Sequence, residues 1–162
     1  MQNFQRQNYG LALEPLLMEP LTVAGTLDSL GAIAQYVLAA AAAAGLDKKA
    51  SYKLRLAVDE IASNIIIHGY QEAGRSGELV CHATFDEQAL TISLEDTGIP
   101  YNPTEKPNPD DLNKPLEERR IGGLGVYLAI QSVDLLLYER VGNRNRNILV
   151  VNPNPNDLNN ET

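Results

Sequence analysis

The sequence predicts an α+β two-layer sandwich, with helices on one face of a mostly antiparallel mixed sheet. Three observations carry this. Strand-like segments arrive in hairpins, helical segments arrive as a group, and the strict strand–helix alternation of a doubly wound parallel sheet is missing. A chain of 162 residues suits one domain with a single core.

The elements follow in chain order. Residues 1–17 are mixed in character and read as a loosely held N-terminal extension. "MEPLTVAG" holds Leu21 and Val23 and ends in glycine, as a short strand does. Thr26 or Asp28 then offers a helix cap. Leu30, Ile33, Ala34, Val37, Leu38 and Ala41 recur at helical spacing until Gly45 stops the run. Asp47 opens a second helix that ends near "HGYQEAGRSG". Leu79, Cys81, Ala83 and Phe85 alternate, as do Leu90, Ile92 and Leu94, and Asp86–Gln88 joins the two runs as a hairpin. From Thr97 to Gly123 the composition turns polar, with five prolines. A loop of this length inside a compact domain is usually functional or disordered. "LGVYLAIQSVD" restores a helix. "LLLYERVG" and "RNILVVN" form a second hairpin whose turn holds Gly142 and Asn143, and the residues from 153 to 162 read as a frayed tail. The domain therefore runs from 18 to 152.

Composition excludes several functions. Nothing is long enough to span a bilayer, and the N-terminus lacks the basic-then-apolar pattern of a secretory signal. The lone Cys81 rules out an internal disulfide, fits a reducing cytoplasm, and reads as a core residue. A formal net charge of −8 argues against direct nucleic-acid binding and against docking on an anionic membrane.

Three segments carry chemistry. In "LAVDEIASNIIIHGY", Leu54, Val58, Ile61 and Ile65 share the core-facing arc, while Glu60 and Asn64 lie one turn apart on the flank. Ala57 on the same side leaves room for an approaching group. Apolar neighbours, Ile66 and Ile67 among them, cover this flank, and a covered carboxylate and amide require a partner. In "EDTGIPYNP", Asp96 ends a strand and Gly98 lets a flat ring approach, so the carboxylate can accept from an exocyclic amine. Alone, this pattern is only a turn. In "RRIGGLGVYLAI", Gly122, Gly123 and Gly125 precede a helix, and Arg119 and Arg120 add positive charge. Such backbone N–H groups bind phosphate. Neither a P-loop nor a Rossmann fingerprint is present.

In this order, the three segments resemble the GHKL ATPase domain, also called the histidine kinase-like or HATPase domain, the group of gyrase, Hsp90, histidine kinase and MutL ATPases. The resemblance runs from about Leu21 to Val151. It is strongest to the bacterial anti-sigma-factor serine kinases of the RsbW type, in "AVDEIASNIIIHGY", "LEDTGIPYNP", "GGLGVYLAIQSVD" and "YERVGNRNRNILVV".

The resemblance implies roles residue by residue. Asn64 would coordinate Mg²⁺ on the phosphates of ATP, and Glu60 would be the general base. Asp96 would bind the adenine amine, with Gly98 under the ring. Gly122, Gly123 and Gly125 would border the phosphates, Arg119 and Arg120 would be γ-phosphate contacts, and residues 99–122 would form an ATP lid. Pro100 stands where many members carry a second glycine, which stiffens the hinge. The Gly-Thr pair common late in such domains is not evident in "GNRNRN". His68 and Tyr70 match the family's trailing pattern and read as structural, and His82 reads as an outward strand residue.

The implied protein is a cytoplasmic, bacterial serine/threonine kinase and anti-sigma-type regulator. It would form a homodimer, phosphorylate a serine of a STAS-domain antagonist, and have a sigma factor as a further partner. The competing reading is an ATP-binding module that switches partners without phosphotransfer.

Overall fold

The computed structural model describes residues 8–9, 12–13, 16–105 and 123–153. Its sheet contains β3 (Leu16–Leu17), β4 (Leu21–Ala24), β5 (Glu78–Phe85), β6 (Leu90–Asp96), β7 (Leu135–Val141) and β8 (Arg144–Val151), in the order β3-β5-β6-β8-β7. β3 and β4 pair in succession with β5, and every pairing among the described strands is antiparallel. A separate pair, β1 (Asn8–Tyr9) with β2 (Ala12–Leu13), precedes them. The N-terminal extension thus holds strands that its mixed composition does not announce. Two-residue strands are too short for alternation to register.

The helices α1 (Leu30–Ala43), α2 (Lys48–Asn64) and α3 (Gly123–Ser132) form one layer, with α2 packed between the other two. α1 follows a 3-10 turn at Leu27–Ser29, and neither Thr26 nor Ser29 caps it with a side-chain bond. The expected cap at Thr26 or Asp28 is therefore absent, because the tighter turn carries the chain into the helix. At the other end Gly45 adopts φ +82°. The N–H of Leu46 donates to Ala41 at 3.0 Å and that of Gly45 to Ala42 at 3.1 Å, closing the helix with a left-handed glycine. The buried face of α1 includes Tyr36 and Ala40, whereas Leu38 is exposed. At 100° per residue Leu38 lies outside the arc that the others share. Asp47 caps α2, accepting the N–H of Ala50 at 2.7 Å.

Leu54, Val58, Ile61 and Ile65 are all buried, as their spacing requires. On the sheet, Leu79, Cys81, Ala83, Leu90, Ile92, Leu94, Leu149 and Val151 face the helices and complete the core. Burial pushes the Cys81 thiol up to about 12, so it packs as a neutral apolar group. No helix among the described residues is long and apolar enough to cross a membrane.

Candidate nucleotide site

The helix that begins at Lys48 does not stop at Asn64. Ile65–Gln71 continue it as a π-helical segment, with the N–H of Glu72 donating to Ile67 at 2.8 Å and that of Arg75 to Tyr70 at 2.9 Å. Such widening shifts the phase of the side chains and marks functional positions. Here it carries Gly69 against the loop after β6 and Tyr70 against the start of β5 and the end of β6.

Tyr70 is fully buried. A Cβ on Gly25 or on Gly77 would each lie 2.6 Å from its ring, so two glycines form the slot that holds it. Its hydroxyl donates to the carbonyl of Glu78 at 2.6 Å and accepts the N–H of Thr97 at 2.8 Å. The residue after Asp96 is thereby fixed to the end of the helix.

Gly98 sits on the backbone of Gly69. A Cβ there would come within 2.8 Å of the Gly69 carbonyl oxygen, and the N–H of Ile99 donates to that oxygen at 3.1 Å. The glycine is thus required by backbone contact as well as by any ring that lies over it. On the opposite flank Gly125, in the first turn of α3, lies against Glu60. A Cβ on Gly125 would overlap the Glu60 carboxylate. Gly123 and Gly125 are inside the helix rather than ahead of it, since α3 starts at Gly123. The α2 segment thus touches both of the other motif segments. Gly69 meets Gly98, and Glu60 meets Gly125. Arg119, Arg120 and Gly122 lie outside the described residues.

Burial sets the electrostatics. Asn64 is 7% exposed, and its amide nitrogen has no hydrogen-bond partner. An unpaired buried amide costs free energy until a ligand or water meets it. Glu60 is half-buried, and desolvation raises its carboxyl above the ordinary range. Asp96 is also raised. Its burial outweighs the hydrogen bonds from Asn145 and Gly98 and the charge of Arg140, which pull the other way. Tyr101 is raised by burial and then by the charge of Glu60, and its ring centroid lies 5.8 Å from that of His68. His68 in turn contacts Glu72 at 2.8 Å.

One residue of this site escaped the sequence reading. Asn145 is 2% exposed and pairs with Asp96 across β6 and β8. Its amide donates to Asp96 Oδ1 and to the Gly98 carbonyl, each at 3.0 Å. Its oxygen accepts from the Tyr138 hydroxyl at 2.6 Å and from Arg140 at 2.9 Å. Asp96 Oδ1 also takes the N–H of Gly98 at 2.9 Å, so that oxygen is committed and the second is left for a ligand. The missed signal was alternation. Counting back from Val151 and Leu149, the core-facing positions of β8 become Asn147 and Asn145, just as those of β6 end in Asp96. Polar residues at successive core positions mark where the core gives way to a site.

The sequence signature of the histidine kinase-like ATPase domain matches residues 23–151. The chain belongs to that family. Among curated relatives, the proteins named serine-protein kinase RsbW from Bacillus mycoides (strain KBAB4) and Bacillus cereus (strain ATCC 10987 / NRS 248) are each 35% identical over 78 residues. That of Bacillus thuringiensis (strain Al Hakam) is 33% identical over the same length. Each match covers 46% of this chain and 48% of the relative, so the chain spans about half the length of the curated relatives it matches.

The residues present fit a magnesium-bound nucleotide. Asn64 offers a hard side-chain oxygen for a cation and a buried, unpartnered amide nitrogen that can donate to a phosphate oxygen, Asp96 keeps one oxygen free of the hydrogen bonds that hold the other, and the glycine at 125 removes the side chain that would fill the space at Glu60.

Proposed function

We propose that the protein is an ATP- and Mg²⁺-dependent serine/threonine protein kinase and anti-sigma-type regulator. Its substrate is a serine on a STAS-domain antagonist in a partner-switching circuit. A sigma factor is the second partner, and the kinase works as a homodimer in the bacterial cytoplasm. The observation that carries this reading is the packing of Gly125 on Glu60, with Asn64 one helical turn beyond. It sets a desolvated carboxylate beside a glycine-rich helix start. Family membership and the serine-protein kinase names of the relatives support the same reading.

Each residue then has a task. Asp96, oriented by Asn145, accepts the exocyclic amine of adenine through its uncommitted oxygen, and Gly98 keeps the floor under the ring flat. The backbone N–H groups around Gly122, Gly123 and Gly125 hold the phosphates, with Arg119 and Arg120 supplying charge from the segment before α3. Asn64 supplies a hard oxygen ligand for Mg²⁺. When bound, the metal neutralises charge on the phosphate oxygens. Glu60 takes the proton of the acceptor serine as that oxygen bonds to the γ-phosphorus. The bond from phosphorus to the bridging oxygen breaks, and its electrons leave with ADP. Burial raises Glu60 toward the working pH, which suits a general base.

The test uses labelled ATP, Mg²⁺ and purified STAS-domain proteins. Label should appear on a serine of one of them and disappear with Glu60→Gln, while nucleotide binding persists. Nucleotide binding with no transfer to any of them would reject the kinase and favour a partner-switching module.

A further inference from the structure

The half of α2 that precedes Glu60 is basic and apolar in a chain that is otherwise acidic. Lys48, Lys49, Lys53 and Arg55 make four of the thirteen Lys and Arg residues, within a chain of net charge −8. At 100° per residue Lys49, Tyr52, Lys53, Leu56 and Glu60 fall within an arc of about 100°. The stripe is open. Tyr52 is 55% exposed, Leu56 is 47% exposed, and Lys49 and Lys53 are exposed as well. Neither lysine meets a carboxylate among the described residues, whereas Arg55 pairs with Asp59 at 3.5 Å. α3, whose Gly125 abuts Glu60, presents Leu128 one turn further on at 54% exposure.

We infer that this stripe is the docking surface for the phosphoacceptor protein, and that the acceptor presents an acidic, partly apolar face to it. The inference rests on Glu60 being the base. A serine that reaches Glu60 brings its own protein over the residues one and two turns back on the same helix. Leu56, Tyr52 and Leu128 give up apolar area to water-free contact, the usual source of interface energy. Lys49 and Lys53 add complementary charge, which speeds encounter and sets specificity. An anionic bilayer is disfavoured as the occupant because Glu60 lies on the same arc and the chain as a whole is acidic.

The probes are purified STAS-domain proteins of the same genome, titrated against the full chain with Mg²⁺ and nucleotide at moderate salt. Two double variants are compared with wild type, Lys49→Glu/Lys53→Glu and Tyr52→Ser/Leu56→Ser. All four positions are exposed, and circular dichroism with thermal melts confirms that the variants fold.

Wild type should bind one acidic STAS protein with an affinity that falls as salt rises. Each double variant should weaken that binding at least tenfold and raise KM for the protein substrate. The affinity for Mg²⁺–ATP and the rate at saturating acceptor should be unchanged. Binding lost in both variants without transfer in wild type keeps the docking surface and rejects the kinase reading. Transfer that continues with unchanged KM in both variants overturns the docking surface and keeps the kinase. Wild type that binds none of these proteins overturns it too. So does a stripe that instead binds phosphatidylserine vesicles, or that joins two copies of the chain by sedimentation.

Discussion

Glu60 is held half-buried against Gly125, and its carboxyl is raised because burial penalises the charged form. Its folded-state pKa lies above its unfolded value. The associated stability is therefore full below the unfolded pKa and is lost as pH rises through the folded one. Glu60→Gln removes that loss. The nucleotide-free variant should melt higher than wild type near pH 7, and the difference should shrink toward pH 4, as thermal melts across this range would show. The same change should cut phosphotransfer by roughly 10²–10⁴-fold, the usual worth of a general base. Asn145 makes a second residue-scale case. Asn145→Ala leaves the Gly98 carbonyl and the Tyr138 hydroxyl without these partners and leaves Asp96 one donor short. A destabilisation of about 1–3 kcal/mol is expected, with weaker binding of ATP in a calorimetric titration. Asn145 stayed hidden in the sequence because it lies in the polar run GNRNRN, whose alternation shows only when β8 is extended back from its apolar end. Glu60, Asn64 and Asp96 were visible because each interrupts an apolar pattern with a polar group. Arg119, Arg120 and Gly122 fall outside the described residues.

Among the elements, α2 was read well because its seventeen residues give a 3.6-residue period room to show. Its π continuation was not, because period counting assumes bonds four residues apart and here they span five. That widening delivers Tyr70 to the slot between Gly25 and Gly77. Tyr70→Phe keeps the ring but strips the Glu78 carbonyl and the Thr97 N–H of their partner. It should cost about 1–3 kcal/mol in denaturant unfolding and loosen the loop that carries Gly98. The strands show the same division between legible and hidden. β5 and β6 alternate over seven or eight residues and declare themselves, whereas β3 has two residues and takes its conformation from pairing with Phe85 and Thr84. The place of the last hairpin turn, at Gly142 and Asn143, also followed from sequence. Gly142 takes φ +63° at the first of two linking residues, a position that favours glycine.

At the scale of the whole molecule, a ligand that binds only the folded state adds to stability by mass action. ATP with Mg²⁺ at about a hundred times its dissociation constant should add about 2.7 kcal/mol. A chelator, or Asn64→Ala, should remove most of that gain in a melting assay, whereas Mg²⁺ alone should supply little of it. The sheet, the helix layer and the order of the three motifs were legible because each repeats a simple period. The closeness of Gly69 to Gly98 was not, since it depends on tertiary contact between segments far apart in the chain. The wedged ring of Tyr70 has a mechanical outcome. By locking the far end of α2 to two strand termini, it turns the Gly69–Gly98 contact into an anvil that stays still. Adjustment to an incoming guest then falls to the opposite jaw, where α3 begins, and amide exchange there should outpace that of Thr97 by orders of magnitude.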